Sequence, residues 1–175
     1  LTLSDPDVQD SVIEHVSNYD VHTTNAQLAY DRYLAEGHTN TFLFPFGIDR
    51  SYILRDVAED KSLRADAIAI GHAQGRPDRH EIMVPLADQV KVKTYGTGWP
   101  LPGSESVSGD RLLQAAKGGT VHVNFPATRA GFTNVKCGVF ETIGAGAVLA
   151  TTEFDEMSRL FDYETEIIGY SNATD

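Results

Sequence analysis

The stretch GFTNVKCGVFETIGAGAVLATTE, residues 131–153, has the pattern of a helix, a glycine turn and a buried strand. Asn134 is a suitable N-cap residue, and the apolar residues over 135–143 fall near helical spacing. Gly144 and Gly146 should end this helix, because glycine adopts the left-handed C-cap conformation without steric cost. The apolar run AVLA that follows is typical of a strand in a parallel sheet that is covered on both faces.

The remaining sequence continues this alternation of helices and strands. From residue 67 onward, strands are predicted at 67–70, 90–95, 120–125, 147–150 and 165–170, with helices at 81–86, 110–116, 134–143 and 153–162. The first two of these strands are expected to be central in the sheet. Such alternation predicts an α/β fold, with a Rossmann-like, doubly wound and mostly parallel sheet.

The first 49 residues have a shorter pattern of helix, strand, helix and strand. Ser4-Asp5-Pro6 should open the first helix, and a strand is predicted over 19–24. Asn25 should cap a second helix that ends at Gly37, before a strand over 41–46. Residues 50–65 are polar and should form a surface loop or irregular helix.

Composition excludes several classes of function. The 175 residues suit one domain, and the net charge of −11 argues against a nucleic-acid surface, which needs a basic face. No apolar run approaches the ~20 residues of a membrane span. Cys137 is the single cysteine, so no internal disulfide can form, and a reducing cytoplasm is the expected location. The sequence begins with Leu1 rather than Met, so we expect a fragment of a longer enzyme.

Glycines and cations follow the predicted strands, where a doubly wound fold binds its ligands. Gly71 ends the strand over 67–70, while Gly96 and Gly98 would let the backbone approach a ligand. The fork of Arg79 suits a diphosphate, although pairing with Asp78 or Glu81 in a first helical turn remains an equal alternative.

A second pair of cations precedes the helix of the opening stretch. Arg129 and Lys136 place positive charge at a helix N-terminus, which already favours anions. We therefore expect both to be candidates for contacts to the diphosphate. Asn134, between them, is also counted among the candidate substrate-binding residues.

The order of these motifs resembles that of a known enzyme family. GVFETIGAGAVLATTE, followed by MSRLFDYETEIIGY, looks like the C-terminal half of GT-B glycosyltransferases, especially the bacterial spore-maturation type of group 1 glycosyltransferase. YDVHTT, the glycine at 37 and PFGID resemble the crossover region of the same enzymes. The resemblance covers residues 17–171. It divides the chain into a crossover segment, 1–49, and a nucleotide-sugar-binding domain, 50–175.

The resemblance implies roles for individual residues. Glu141 would hold the ribose hydroxyls of the sugar nucleotide, and Arg79 matches an arginine of the family that follows the strand–glycine step. Two departures concern the contacts to the donor: Gly138 stands where many members have arginine, and Thr133 where retaining members have a second glutamate. The alternative for Glu141 is a solvated position on the helix.

The implied function is that of the donor-nucleotide-binding lobe of a hexosyltransferase, acting on a nucleotide diphosphate sugar. No cofactor is implied, and neither HExxH nor an Asp-x-Asp pair suggests a metal. The acceptor-side lobe would be missing, so the isolated chain should bind nucleotide weakly and transfer nothing. A sugar-nucleotide epimerase and a non-catalytic interaction or regulatory module remain as alternatives.

Four further side chains have structural and functional alternatives. Trp99 or Tyr95 could stack on a base, but the favoured expectation for Trp99 is that it covers a sheet edge. His122, on a strand, is expected to be a hydrogen-bonded core residue more often than a catalytic base. Asp49 is expected to cap a turn.

Overall fold

A computed structural model describes residues 3–4 and 9–174 of the chain. It contains eight strands and seven α-helices over these residues. The strands are β1 Leu3–Ser4, β2 His22–Thr24, β3 Thr41–Leu43, β4 Ala65–Ile70, β5 Val92–Tyr95, β6 Gly119–Asn124, β7 Val148–Thr151 and β8 Ile168–Gly169. The helices are α1 Gln9–Ile13, α2 Gln27–Ala35, α3 Arg50–Ile53, α4 Pro77–Ala87, α5 Gly109–Gly118, α6 Cys137–Gly144 and α7 Asp155–Ser158.

Five of the strands form one parallel sheet with the order β5-β4-β6-β7-β8. Ile68 lies beside His122, and His122 beside Leu149, so their side chains share a face. The chain runs outward from β4 to β5 and then returns to the other side of β4 to form β6. The order therefore reverses between β4 and β6, the place where doubly wound sheets bind ligands.

Helices cover the two faces of this sheet, as the alternation along β4 shows. Ala67 and Ala69 pack in one cluster with Met83 of α4. Ile68 points to the opposite face, where it packs with Ala115 of α5. Because α6 packs on Leu149, which shares the face of Ile68, α5 and α6 lie side by side.

The small parallel sheet β1-β2-β3 is formed by the beginning of the chain. Its core contains Val16, Ala29 and Tyr33, all completely buried. The side chain of Glu156, just inside α7, accepts a hydrogen bond from the first amide of α2, that of Gln27, at 3.2 Å. This contact joins the small sheet to the part of the chain that contains the large sheet.

The predicted fold class is confirmed, since the sheet is parallel and is covered by helices on both faces. Positions of several elements were wrong. The strand predicted over 90–95 lies at an edge rather than in the centre. The helix predicted from Glu81 begins at Pro77, because proline at the first helical position needs no donor, and it continues through Pro85.

Two predicted caps and one helix length were also wrong. The N-cap position of α6 is Lys136 rather than Asn134, and that of α2 is Ala26 rather than Asn25. Only Asp155–Ser158 is helical in the segment 153–162. The predicted opening at Ser4-Asp5-Pro6 lies partly outside the described residues; Ser4 belongs to β1. The division at residues 49 and 50 stays a prediction.

Candidate functional site

A cavity of about 420 Å³ lies at the carboxyl ends of β4 and β6. Its wall comprises the end of β4 with the following loop, the end of β6, the N-terminal turn of α4, and the facing sides of α5 and α6. The cavity is thus at the point where the strand order reverses. Its volume is within the range of small-molecule sites.

Charged residues are distributed unevenly around this cavity. The whole chain has 14 Lys and Arg against 25 Asp and Glu. Four of these cations nevertheless line the cavity: Arg76, Arg79, Arg129 and Lys136. Among the described residues of the wall, Glu141 is the one acidic side chain. The site therefore combines a local excess of positive charge with one carboxylate, in an otherwise acidic protein.

Arg79 is buried in the wall, with only 9% of its surface exposed. Its Nη1 donates to the carbonyl of His72 at 2.7 Å, and its guanidinium lies 5.3 Å from the ring centre of Phe125. Its Nε has no hydrogen-bond partner among the described residues. Burial lowers the pKa of Arg79, but arginine stays charged at any physiological pH. The predicted alternative, an ion pair with Asp78 or Glu81, is not formed.

Two of the other cations are already engaged with the protein. Arg76 pairs with Asp78 at 2.7 Å and donates to the carbonyl of Ala127 at 2.8 Å. Lys136 donates to the carbonyls of Phe125 and Ala127, both at 2.9 Å. These bonds fix the loop after β6 against α4 and α6. Because Arg76 and Lys136 already donate hydrogen bonds to protein acceptors, they have fewer donors available for a ligand than the sequence suggested.

Arg129 is exposed at the cavity, and no hydrogen bond or ion pair to another described residue holds its guanidinium. Cys137 and Gly138, in the first turn of α6, line the same cavity. The N-terminus of a helix attracts anions through its free N–H groups and its dipole. The geometry therefore brings one available guanidinium and one helix N-terminus to the same wall.

Glu141 lies on the cavity side of α6 and is half-buried. Over the described part of the chain, nothing donates a hydrogen bond to its carboxylate, and no cation pairs with it. Burial raises the pKa of this carboxyl above its ordinary value. The side chain thus lines a concave surface, and its role there stays a prediction.

Of the three glycines predicted to bind substrate, one lines the cavity and two do not. Gly71 lines the cavity, and a Cβ there would lie 2.9 Å from Nη1 of Arg79. Gly96 and Gly98 do not line it. A Cβ at either would lie within 2.3 Å of the backbone of Gly71 or of Gln74, so their role is close packing of two loops.

Asn134 is also absent from the cavity wall, and its side chain is buried. The structure therefore brings together five of the eight predicted substrate-binding residues: Glu141, Arg79, Gly71, Arg129 and Lys136. It places Gly96, Gly98 and Asn134 elsewhere, where direct contact with a ligand in this cavity would require rearrangement.

His122 is a hydrogen-bonded core residue. Its Nε2 bonds to the carbonyl of Ala116 and its Nδ1 to the hydroxyl of Thr142, both at 2.8 Å. Because a carbonyl only accepts, Nε2 carries the proton and Nδ1 accepts from Thr142. Burial lowers the pKa of His122 to about 4, so the ring is neutral near pH 7. It links α5 to α6 at the cavity wall.

The aromatic residues proposed for stacking are buried. Trp99 is 8% exposed, and its Nε1 donates to the carbonyl of Gly71 at 2.8 Å. Tyr95 is 1% exposed. The stacking prediction is therefore wrong for both in this conformation. Asp49 caps α3, as predicted, by accepting from the amide of Ser51 at 2.7 Å.

Sequence reasoning missed Tyr52, Asn124 and His72, all of which line the cavity. Asn124 is the last residue of β6, and His72 lies two residues after β4, so the rule that ligands bind at strand ends could have identified them. Tyr52 gave no such signal, because it lies in the connection between the two sheets.

Two searches of the described residues complete the description of the site. No group of three or more His, Cys, Asp or Glu residues there could hold a metal ion. No helix in the same residues is both long and apolar enough to cross a bilayer.

Comparison with protein families identifies the family of the chain. The sequence profile of the glycosyl transferase-like family matches residues 76–175, more than half of the chain. The chain belongs to this family. The matched region contains all four cations of the wall and its carboxylate, Glu141. No curated protein matches the sequence significantly.

Solved structures show the same fold at low identity. A structure from a study of retaining glycosyl transfer by trehalose-6-phosphate synthase matches with a TM-score of 0.62 and 11% identity, over 88% of this chain and 50% of that one. A trehalose-6-phosphate synthase described as OtsA matches with a TM-score of 0.60 and 11% identity, over 91% and 52%. An alpha-glucosyltransferase in complex with UDP-glucose and abasic DNA matches with a TM-score of 0.57 and 8% identity, over 87% and 51%.

The glycosyl transferase-like chain thus spans about half the length of these enzymes. Its Rossmann-like sheet corresponds to one lobe of a GT-B glycosyltransferase. The resemblance stated from the sequence is confirmed at the level of family and fold.

Proposed function

We propose that this chain is the donor-nucleotide-binding lobe of a glycosyltransferase that uses a nucleotide diphosphate sugar. The observation that carries the proposal is the cavity at the strand reversal, which has four cations and one carboxylate on its wall. A nucleoside diphosphate needs both kinds of contact, since its phosphates are anionic and its ribose offers hydroxyl donors.

The phosphates would bind beside Arg129 and the first turn of α6. The guanidinium of Arg129 has no partner among the described residues, and free N–H groups at a helix start add to its attraction. The buried Arg79, with its unpartnered Nε, would contribute a second charge. Together they would stabilise the negative charge that develops on the diphosphate leaving group.

The ribose would bind at Glu141. An ionised carboxylate accepts hydrogen bonds from two neighbouring hydroxyls, and this one has no competing donor in the described structure. The apolar side chains of Ile70 and Leu112 line the same cavity and would exclude water from these bonds. The chemistry of the carboxylate and its surroundings supports this placement of the ribose, and the family resemblance implies the same role for Glu141.

Sugar transfer would require the remainder of the enzyme. The chain covers about half of the GT-B enzymes that it matches, and the acceptor-side base would belong to the other lobe. We therefore propose that the isolated chain binds a nucleotide without transferring sugar. A cytoplasmic location is part of this proposal, and the single cysteine agrees with it.

One observation favours a second candidate, a non-catalytic module with a degenerate pocket: Arg76 and Lys136 are occupied by protein partners. The resemblance agrees with it, because Gly138 and Thr133 stand where it implies charged residues. A pocket of this kind would keep the fold and lose the ligand.

Calorimetric titration separates the two candidates. Uridine, guanosine and thymidine diphosphates are titrated into the chain and into Glu141→Gln and Arg129→Gln variants. The donor-lobe proposal expects millimolar or tighter binding of one nucleotide, weakened about 10-fold or more by either change. Glu81→Gln and Arg159→Gln, which alter exposed charges outside the cavity, should bind like the unmodified chain. No binding at millimolar concentration would support the module instead.

A further inference from the structure

Tyr52 has an unpaired hydroxyl beside the cavity. Its ring is partly buried, its hydroxyl is inaccessible to water, and no described residue forms a hydrogen bond with the hydroxyl. Leaving a buried hydroxyl unpaired costs roughly 1–3 kcal/mol. Tyr52 also lines the cavity that contains Glu141. The residue lines the wall while its hydroxyl is covered, so the hydroxyl would pair with a ligand group once the ring turns toward the cavity.

Tyr52 is held in this place by contacts that the nucleotide would not make. Asp49 caps α3, on which Tyr52 lies, and the amide of Tyr52 donates to the carbonyl of Asp49 at 2.9 Å. The segment after α3 is then fixed to α5, since Arg55 pairs with Asp110 at 2.6 Å and Gln114 donates to a backbone carbonyl at 2.8 Å. The connection between the two sheets thus brings an aromatic hydroxyl to the nucleotide cavity.

Tyr52 and Glu141 are electrostatically coupled. Burial raises the pKa of the Tyr52 phenol, and the negative charge of Glu141 raises it further. The phenol therefore keeps its proton and is available as a donor. Glu141, in contrast, is an acceptor when it is ionised.

These two groups are complementary to one sugar hydroxyl. The hydrogen of a ribose hydroxyl can be donated to a carboxylate, and its oxygen then still accepts a bond from another donor. Glu141 supplies the acceptor and Tyr52 the donor. Neither has another partner within the described residues, so both would be satisfied by the same ligand group.

We propose that Tyr52 contacts the ribose of the nucleotide together with Glu141, and that the pair selects ribonucleotides that carry both sugar hydroxyls. The inference rests on the proposed nucleotide-binding function and adds a recognition residue to it. It also assigns the donor to the ribonucleoside class, in preference to deoxyribonucleoside diphosphates such as that of thymidine.

The test compares Tyr52→Phe with the unmodified chain against two ligands. The first ligand is whichever of uridine diphosphate and guanosine diphosphate binds more tightly. The second is the 2′,3′-dideoxy form of that nucleotide. Because one neutral hydrogen bond is lost, we expect Tyr52→Phe to bind the ribonucleotide about 3- to 10-fold more weakly. For the dideoxy form, which lacks both hydroxyls, the two proteins should bind equally.

A control variant and the remaining outcomes complete the experiment. Tyr19→Phe, which removes a hydroxyl from an exposed tyrosine, should bind both ligands like the unmodified chain. Equal binding of the ribonucleotide by Tyr52→Phe would overturn the role of Tyr52 and leave the proposed function intact. An equal loss for both ligands would also overturn it, because the effect would then be structural. If the unmodified chain bound neither ribonucleotide, both proposals would be wrong.

Discussion

Gly96 offers a quantitative test of how the cavity is built. Its φ of +122° is unfavourable for any side chain, and a Cβ there would lie 2.2 Å from the carbonyl oxygen of Gly71. That distance is more than 1 Å short of ordinary van der Waals contact. Gly96→Ala must therefore displace the turn after β4, which also accepts a hydrogen bond from Trp99 and donates one to Tyr95, both at 2.8 Å.

The magnitude follows from these terms. Backbone strain costs roughly 1–3 kcal/mol, and each disturbed hydrogen bond costs about 1 kcal/mol. Gly96→Ala should therefore lower the free energy of unfolding by about 3–5 kcal/mol, which is roughly 6–20 °C in Tm for a chain of this size. Nucleotide binding should weaken as well, because Gly71 lines the cavity.

Gly37→Ala is the matched control for this change. Gly37 has a φ of +90°, but a Cβ there would meet nothing within 4 Å, so only the backbone term applies. Thermal unfolding of this variant should show a loss of about 1–2 kcal/mol in the free energy of unfolding. Its nucleotide binding should be unchanged. Equal losses of stability in the two variants would refute the argument that close packing of Gly96 on Gly71 shapes the site.

Three further predictions concern titratable groups. Burial lowers the pKa of His122 from 6.5 to about 4, so on acidification the unfolded chain binds this proton before the folded chain does. The contribution of His122 to the free energy of unfolding should therefore be fully present above pH 6.5 and be lost toward pH 4, by at most about 1.4 kcal/mol per pH unit. His122→Gln should flatten this part of a urea-unfolding series, and an unchanged slope would contradict the assignment. Glu156→Ala removes the acceptor of the Gln27 amide, so hydrogen exchange in α2 should accelerate by an amount equivalent to roughly 1–3 kcal/mol while β4 keeps its protection. Burial raises the pKa of Glu141 above 4.5, so Glu141 should be protonated at a higher pH than an ordinary glutamate. As the solution is acidified, nucleotide affinity measured by calorimetry should therefore begin to fall earlier in the unmodified chain than in Glu141→Gln, which lacks the carboxylate.

The fold was largely predictable because its signals are local. The glycines at 144 and 146 and the apolar run after them indicated a helix–turn–strand unit, and α6 and β7 form it. Strand position in the sheet was harder to predict. β5 has the same alternation as a central strand but lies at the edge, since periodicity reports which side chains are buried and not how many neighbours a strand has.

The site was predictable only in part, because side-chain partners come from distant segments. The presence of Arg129 and Glu141 at one cavity follows from strand order and helix spacing, whereas the engagement of Lys136 depends on carbonyls at 125 and 127 that a linear pattern does not reveal. Tyr52 reaches the cavity through ion pairs and hydrogen bonds between the connection and α5. Glycines after strands were ambiguous, since close approach to a ligand and close approach to another loop require the same residue.

The central claim is that Glu141 and the cations of one cavity hold a ribonucleoside diphosphate. A crystal structure of the chain soaked with uridine or guanosine diphosphate tests this claim most directly. The account predicts density in the cavity at the ends of β4 and β6, with a ribose hydroxyl within hydrogen-bond distance of Glu141 and a phosphate in contact with Arg129. A nucleotide bound at another surface, or one in the cavity that leaves Glu141 without contact, would contradict it.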